Sequence, residues 1–240
     1  MLEQLTAIIW DFDGTLVDTR QKNLNVTRTL TEELKGHSAD RFEALRSLVH
    51  YERALQRHQD WRGFYGQELE MTEVEVLAAG SRWAEYQLAD DTEAPSYDGV
   101  PEVLEQLSHL PQGIVSLNSR QNILRFLEQL ALHHLFQEVI GYEAFEPHRH
   151  KPAPDALVSC IESLTGLRPG RVVYVGDHES DARCVDNTNA YFRDQRIDVD
   201  VVSVGAFYAP FADDSGWSTR PHYRAEDPRQ ILGVVEQLTG

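Results

Sequence analysis

The pattern of apolar and polar positions changes twice along the chain. Residues 5–10 form an apolar run of strand length that ends at two aspartates, which predicts a buried strand. After residue 95, short apolar runs alternate with stretches of helical spacing. We predict strands at 113–117, 138–140, 171–175 and 199–204, and helices at 101–110, 121–130, 155–164, 180–187 and 228–238. This alternation is typical of an α/β fold with a parallel sheet covered on both faces.

Between these regions, residues 17–92 consist of long amphipathic stretches without strand-like runs. The spacing of apolar positions predicts one helix over 41–58 and another over 72–88. Two glycines between them predict a loop over 60–66. The chain therefore has two predicted domains: an α/β core domain of residues 1–16 and 95–240, and an inserted helical domain of residues 17–94.

Charge and composition limit the classes of partner. The 240 residues include 22 Lys and Arg against 39 Asp and Glu, a formal net charge of −17. Such a surface repels nucleic acid and anionic lipid, so we expect neither as a partner. The two cysteines form no Cys-x-x-Cys pair, which suits a reducing compartment. No signal peptide or membrane-spanning run is visible, so we expect a cytoplasmic protein. A monomer and a homodimer both remain open.

Polar residues follow several of the predicted strands. Asp11 and Asp13 follow the first strand, and Ser116 lies near the end of the second. Lys151 precedes a predicted helix. Asp177 and Asp181 follow the strand at 171–175. Because ligands of parallel α/β sheets bind outside the carboxyl ends of the strands, we expect these residues to converge on one cleft.

This combination of charges indicates a metal and a phosphate. Neighbouring carboxylates raise one another's pKa unless positive charge compensates. Ligands that are all oxygen favour a hard cation, and Mg²⁺ is the best candidate. Lys151 supplies a second positive charge, and the Ser116 hydroxyl can bind a phosphate oxygen. The set suits phosphoryl transfer, in which positioning and charge neutralisation supply most of the catalysis.

The two-residue spacing of Asp11 and Asp13 allows both to face one site if the peptide between them turns. One carboxylate can then attack phosphorus, while the other exchanges protons with the leaving oxygen and with water. Gly14 permits the tight backbone path that Thr15 follows. The sequence thus predicts a covalent phosphatase mechanism at this turn.

Four segments together resemble the motifs of the haloacid dehalogenase-like hydrolase superfamily, in the same order along nearly the whole chain. They are Asp11-Phe12-Asp13-Gly14-Thr15-Leu16-Val17-Asp18, Ile114-Val115-Ser116, Lys151-Pro152-Ala153-Pro154-Asp155 and Gly176-Asp177-His178-Glu179-Ser180-Asp181. The helical insert is similar to the C1 cap of the phosphoglycolate phosphatase and phosphomutase branch. The resemblance implies a Rossmann-like parallel sheet core with an inserted all-helical cap domain.

The resemblance also implies a role for each motif residue. Asp11 would be the nucleophile, and Asp13 the acid and base. Ser116 and Lys151 would hold the transferring phosphoryl group. The implied Mg²⁺ ligands are Asp11, the main-chain carbonyl of Asp13, Asp177 and Asp181, and the implied substrate contacts are Gly14, Thr15, Leu117, Asn118 and, in the cap, Arg62. Leu117 departs from the polar residue that relatives often carry, so only its N–H group would serve. An alternative for Asp181 is a helix cap.

The implied activity is Mg²⁺-dependent hydrolysis of a small phosphate monoester, with phosphoglycolate as one candidate substrate. Sugar phosphomutases of this branch carry a histidine near the position of Asn23, which weakens that alternative. Dehalogenases normally lack a second aspartate, so Asp13 argues against them. Phosphonatases use a cap lysine, and the insert offers only Lys22 and Lys35. A non-catalytic binding protein would have a broken set of motif residues, and this set is intact.

Overall fold

The first strand forms the centre of the fold. In this computed structural model, which describes residues 4–58, 61–210 and 212–239, strand β1 spans Leu5–Trp10. Its residues 7–10 are buried on both faces. Burial on both faces is typical of a central strand in a parallel sheet covered by helices.

The strands of the described residues form one six-stranded sheet with the order β3-β2-β1-β4-β5-β6, and every neighbouring pair is parallel. They are β1, β2 (Gln112–Val115), β3 (Glu138–Ile140), β4 (Gly170–Gly176), β5 (Val199–Ala206) and β6 (Tyr223–Ala225). The prediction of a Rossmann-like α/β sheet is confirmed. Strand β6 was not predicted, because Tyr223-Arg224-Ala225 has a charged residue at its centre and lacks an apolar run.

Nine α-helices lie within the described residues. They are α1 (Arg20–Lys35), α2 (Leu48–Leu55), α3 (Trp61–Glu68), α4 (Glu73–Ala89), α5 (Val100–Gln106), α6 (Arg120–Gln129), α7 (Asp155–Thr165), α8 (Glu179–Gln195) and α9 (Gln230–Thr239). The elements group into two compact units. We call Met1–Asp18 with Pro95–Gly240 the core unit, and Thr19–Ala94 the helical unit.

Apolar side chains of the sheet and of α7 and α8 form a buried cluster in the core unit. It includes Ile9 and Tyr174 from the strands and Leu157, Cys160 and Phe192 from the two helices. Burial of residues of this size contributes about 1.5–3 kcal/mol each to folding. The cluster fixes the strands side by side and thereby fixes the relative positions of their carboxyl ends.

The predicted helix at 41–58 is wrong over its first half. Residues 39–41 and 43–45 form short 3₁₀ turns, separated by the extended residue Phe42. Helix α2 begins only after Ser47, which is extended and whose Oγ accepts from the N–H of His50 at 3.3 Å. The Ser47 side chain caps the start of a separate helix. The spacing of apolar residues does not reveal such a cap, so it predicted one continuous helix.

The predicted loop at 60–66 is also wrong where the structure describes it; Asp60 lies outside the described residues. Helix α3 continues through both glycines. Phe64 and Tyr65 are buried, and the Phe64 ring meets the Tyr51 ring edge-on at 5.4 Å. Each glycine costs a helix about 1 kcal/mol, and the burial of two aromatic side chains offsets that cost.

Candidate active site

The carboxyl ends of three adjacent strands bring the predicted residues of the core unit together. Asp11, Ser116 and Asp177 each follow directly after a strand, namely β1, β2 and β4. The N–H of Asp11 donates to the Val175 carbonyl at 2.7 Å, and the N–H of Ser116 donates to the Ile140 carbonyl at 3.0 Å. These two hydrogen bonds therefore fix the backbone of Asp11 and of Ser116 at the ends of their strands.

Lys151 lies at the centre of the acidic residues. Its Nζ donates to Oδ1 of Asp11 and to Oδ1 of Asp181, both at 2.7 Å, and lies 3.1 Å from the Tyr174 hydroxyl. The lysine side chain is only 4% exposed. Burial alone would lower its pKa, but the attraction of Asp11 and Asp181 raises the pKa well above its ordinary value. Lys151 is therefore a permanent positive charge in the site.

Burial has the opposite effect on the acid that Lys151 contacts. Burial raises the pKa of Asp11 from 3.8 to about 7; Lys151 opposes the rise, and Asp181 and Asp13 add to it. The pKa of Asp177 is raised well above its ordinary value, first by burial and then by repulsion from Asp11 and Asp181. The positive charge of Lys151 alone thus does not neutralise these carboxylates, and the site favours binding of a further cation.

The donor geometry also fits a metal ion. One carboxylate oxygen from each of Asp11, Asp177 and Asp181 lies within 4.8 Å of the others. Gly14 has φ +78°, and a Cβ at that position would lie 2.1 Å from Oδ2 of Asp177. A Cβ at Gly176 would lie 2.5 Å from the Asp181 carboxyl. Glycine is therefore required at both positions for the acids to approach one another, and the all-oxygen set fits Mg²⁺.

Asp13 is held separately from this cluster. The Asn118 side-chain amide donates to the two carboxylate oxygens of Asp13 at 2.9 and 3.2 Å. The side-chain oxygen of Asn118, Oδ1, accepts from the Ser119 N–H at 2.8 Å and from the Asn122 side chain at 3.0 Å. Asn118, predicted as a substrate contact, thus orients the Asp13 carboxylate from a buried and fully engaged position.

The other predicted substrate contacts of the core unit surround this point. The N–H of Gly14 donates to Val17 at 3.0 Å, and the N–H of Thr15 to Phe12 at 3.3 Å, so both groups are engaged within the turn. The buried Ser116 hydroxyl accepts from the N–H of Asn118 at 3.2 Å and keeps its own hydrogen to donate. The Leu117 side chain is 46% exposed.

Arg62 belongs to the helical unit. It is the second residue of α3 and is exposed, and its guanidinium lies 4.5 Å from the centre of the Trp61 ring. This cation–π contact limits the directions in which the arginine can point.

Asp181 has a structural contact as well as its place in the cluster. Its Oδ2 accepts from the N–H of His178 at 3.0 Å, and the His178 side chain accepts from the N–H of Ser180 at 3.2 Å. These reciprocal bonds form a capping box at the start of α8. The other oxygen, Oδ1, binds Lys151. Asp181 therefore caps the helix through Oδ2 and contacts Lys151 in the site through Oδ1.

Sequence reasoning missed two tyrosines. The fully buried Tyr174 hydroxyl lies 3.1 Å from Lys151 Nζ, from Asp181 Oδ1 and from the Val115 carbonyl oxygen. The Tyr208 hydroxyl donates to the main-chain carbonyl of Thr15. The polar hydroxyl of Tyr174 within the apolar run 172–175 was a signal that could have identified it. Tyr208 is 193 residues from Thr15, and no local pattern connects the two.

The chain belongs to the haloacid dehalogenase-like hydrolase family, whose sequence model matches residues 8–192. This match confirms the predicted superfamily and identifies the chain as a hydrolase. Among the helices of the described residues, none has the combined length and apolar character that crossing a membrane requires.

Sequence relatives of the chain include two phosphoglycolate phosphatases and a pyrophosphatase. A phosphoglycolate phosphatase of Chromobacterium violaceum is 29% identical over 75% of this chain and 80% of that protein. A phosphoglycolate phosphatase of Synechococcus elongatus is 27% identical over 98% of this chain and 99% of that protein. Pyrophosphatase PpaX of Listeria innocua is 26% identical, and the match covers 98% of each protein.

Solved structures share the fold. A candidate phosphoglycolate phosphatase from Lactobacillus plantarum has a TM-score of 0.73 at 20% identity, covering 96% of this chain and 99% of that chain. A HAD-superfamily hydrolase of subfamily IA from Geobacter sulfurreducens has a TM-score of 0.62 at 21% identity, covering 96% of both chains. At these identities the likeness establishes the fold alone.

Proposed function

We propose that this protein is a Mg²⁺-dependent phosphatase that hydrolyses a small phosphate monoester through an aspartyl-phosphate on Asp11. The observation that carries the proposal is the position of Asp11. Its carboxylate contacts one buried lysine and belongs to a cluster with two further carboxylates. A second aspartate, Asp13, is oriented nearby by Asn118. Phosphoryl transfer requires such a nucleophile, together with positive charge and a separate proton donor.

In the first step, a carboxylate oxygen of Asp11 forms a bond to phosphorus. The ester P–O bond breaks, and its electron pair leaves on the substrate oxygen. Asp13, in its protonated form, gives its proton to that oxygen, so that an alcohol departs. Lys151 and the Ser116 hydroxyl hold the phosphoryl oxygens, on which negative charge is spread in the transition state.

In the second step, water attacks the phosphorus of the aspartyl-phosphate. Asp13, now ionised, accepts a proton from the water, and the bond between phosphorus and the Asp11 oxygen breaks with its electron pair returning to the carboxylate. Asn118 favours this reversal of roles because its amide keeps the Asp13 carboxylate in one orientation. The products are inorganic phosphate and the free enzyme.

The proposed metal ligands are Asp11, Asp177, Asp181 and the main-chain carbonyl of Asp13. When bound, Mg²⁺ would supply positive charge that offsets the carboxylates and the phosphoryl group. The raised pKa values of Asp11 and Asp177 support this assignment, because burial and then mutual repulsion disfavour the charged carboxylates, and a bound cation would offset both effects.

Two substrates deserve a first comparison because two kinds of relative match nearly the whole chain. These relatives are named phosphoglycolate phosphatase and pyrophosphatase. We propose phosphoglycolate, or a related small acid phosphate, as the substrate class, with pyrophosphate as the second candidate. A sugar phosphomutase remains the alternative activity, and conversion of a hexose 1-phosphate to the 6-phosphate distinguishes it from hydrolysis.

The test measures phosphate release from both substrates and from p-nitrophenyl phosphate, with Mg²⁺ or with EDTA. We expect release only with Mg²⁺, and a loss of at least about 10³-fold in Asp11→Asn. Asp186→Asn is the matched control, because Asp186 is exposed on α8. Release that is independent of Mg²⁺, or an active Asp11→Asn variant, would refute the mechanism.

The remaining assignments are also proposals. Gly14 and Thr15 are proposed to shape the turn beside the phosphoryl group, and the Leu117 N–H to contact it. Arg62 is a proposed substrate contact of the helical unit, which we propose is the cap domain. Arg62→Ala is expected to change the ranking of substrates and to leave the Mg²⁺ requirement intact. We propose a cytoplasmic protein that acts as a monomer or homodimer.

A further inference from the structure

The segment between β5 and β6 contacts two of the segments that carry the site acids. At its start, the Tyr208 hydroxyl donates to the main-chain carbonyl of Thr15. Near its end, the N–H groups of Ser218 and Thr219 donate to the Glu179 carboxylate at 2.7 and 3.0 Å. Glu179 is two residues beyond Asp177. The segment is therefore tied to the turn after β1 and to the beginning of α8.

Packing and charge also hold this segment in place. The Tyr208 ring meets the Tyr97 ring at a centroid distance of 5.1 Å and an angle of 68°. Farther along, the buried Asp214 forms an ion pair with Arg224, and the Arg224 guanidinium lies 4.0 Å from the centre of the Phe207 ring. Tyr208 thus reaches Thr15 from a position that several contacts define.

The carbonyl that Tyr208 binds belongs to a tight turn. Three N–H groups, those of Thr15, Leu16 and Val17, all approach the single Phe12 carbonyl at 2.9–3.3 Å, and Gly14 has a left-handed backbone. The Thr15 carbonyl accepts a hydrogen bond from the Tyr208 hydroxyl. Thr15 itself is fully buried, so loss of this donor would leave a buried carbonyl without its partner.

Asp13 lies within this turn, between Phe12 and Gly14, and two contacts restrain it. Asn118 holds its carboxylate, and Tyr208 holds the backbone two residues later. We propose that Tyr208 is a positioning residue that fixes the turn and thereby the proton-donating carboxyl of Asp13. This inference rests on the proposed function of Asp13 as acid and base, and it adds a residue from outside the four motifs.

The test compares substrates with different leaving groups. A good leaving group such as p-nitrophenolate needs little protonation, whereas an alkyl alcohol needs a well-placed acid. In Tyr208→Phe, we expect kcat/KM, which reports the steps up to departure of the leaving group, to fall about tenfold for an alkyl phosphate, because Asp13 is less well placed to protonate the alcohol. We expect kcat/KM for p-nitrophenyl phosphate to fall less than about twofold.

Tyr191→Phe is the matched control, since Tyr191 is a 40% exposed tyrosine on α8. Equal losses for both esters in Tyr208→Phe would indicate a general structural role and overturn the proposal, and so would no loss for either ester. If Tyr208→Phe does not fold, Glu179→Ala removes the acceptor that holds the far end of the same segment. It is expected to give the same leaving-group dependence with a smaller amplitude, and an equal loss for both esters would again refute the idea.

Amide hydrogen exchange separates this inference from the proposed function. In Tyr208→Phe, the N–H groups of Gly14 and Thr15 should exchange at least about tenfold faster than in the native protein, because the turn opens more often. Tyr191→Phe should leave them unchanged. If the native protein cleaves no phosphate ester, the proposed function fails, and the exchange rates alone decide whether Tyr208 fixes the turn. Unchanged exchange would overturn the inference.

Discussion

Replacement of Asp11 by asparagine should abolish catalysis and at the same time stabilise the metal-free protein. Asp11 is 6% exposed, and burial raises its pKa to about 7. Asparagine has the shape of the carboxyl group without its charge. Lys151 keeps its second carboxylate partner, Asp181 at 2.7 Å, so it does not become an unpaired buried charge. The substitution therefore removes a charge that the folded state accommodates poorly.

The size of this stabilisation depends on pH. Below pH 3.8 the carboxyl is protonated in both folded and unfolded chains, and its ionisation costs no stability. As the pH rises, the unfolded chain ionises first, so folding is increasingly penalised until the folded carboxyl also ionises near pH 7. The gap between 3.8 and about 7 corresponds to a penalty of about 4 kcal/mol. This value is an upper bound, because the coupled neighbours relax when Asp11 changes.

A gain of half that bound would be about 2 kcal/mol, which corresponds to an increase in Tm of roughly 4–8 °C for a chain of this length. Thermal unfolding in EDTA, measured from pH 5 to pH 8.5, tests the prediction. Asp11→Asn should unfold at a higher temperature than the native protein at pH 8, and the difference should shrink toward pH 5. Asp186→Asn, on the exposed face of α8, should show no such dependence.

An Asp11→Asn variant that is less stable at pH 8 would refute the reasoning. It would mean that the ion pair with Lys151 contributes more than burial and repulsion cost. A gain of equal size at every pH would also contradict the argument, because it would show that the charge of Asp11 is not its source.

Three further predictions concern the same site. Addition of Mg²⁺ should raise the Tm of the native protein at pH 8 more than that of Asp11→Asn, because the metal binds the folded state through the missing carboxylate; equal increases would contradict this. Tyr174→Phe should lower kcat about three- to tenfold, because Lys151 and Asp181 both lose a hydrogen bond; unchanged steady-state kinetics would refute a role for the hydroxyl. Gly14→Ala should cost more stability than Gly36→Ala in chemical denaturation, since both glycines have positive φ but only the Cβ at position 14 meets Asp177; equal losses would show that backbone strain alone is responsible.

The fold was predictable where local patterns and tertiary packing agree. Strands such as Leu5–Trp10 are apolar runs of strand length, and helix α4 begins at a capping box formed by Thr72 and Glu75. The pattern failed at residues 41–47, where short 3₁₀ turns and an extended Ser47 replace the first half of the predicted helix. It failed again at α3, where packing of aromatic side chains offsets the helix-breaking tendency of two glycines. Tertiary contacts decided the conformation in both segments.

By itself, the sequence determined the family, the parallel sheet and the set of acids and lysine that follow its strands. This was possible because strand length, alternation and the spacing of Asp11 and Asp13 are local properties. Only the tertiary structure decided which partners these groups have: Asn118 on Asp13, Tyr174 beneath Lys151, and Tyr208 on the turn. Those contacts join residues that are 23 to 193 positions apart. Packing of the whole core unit brings these residues together, and a local sequence pattern cannot predict contacts between residues so far apart in the chain.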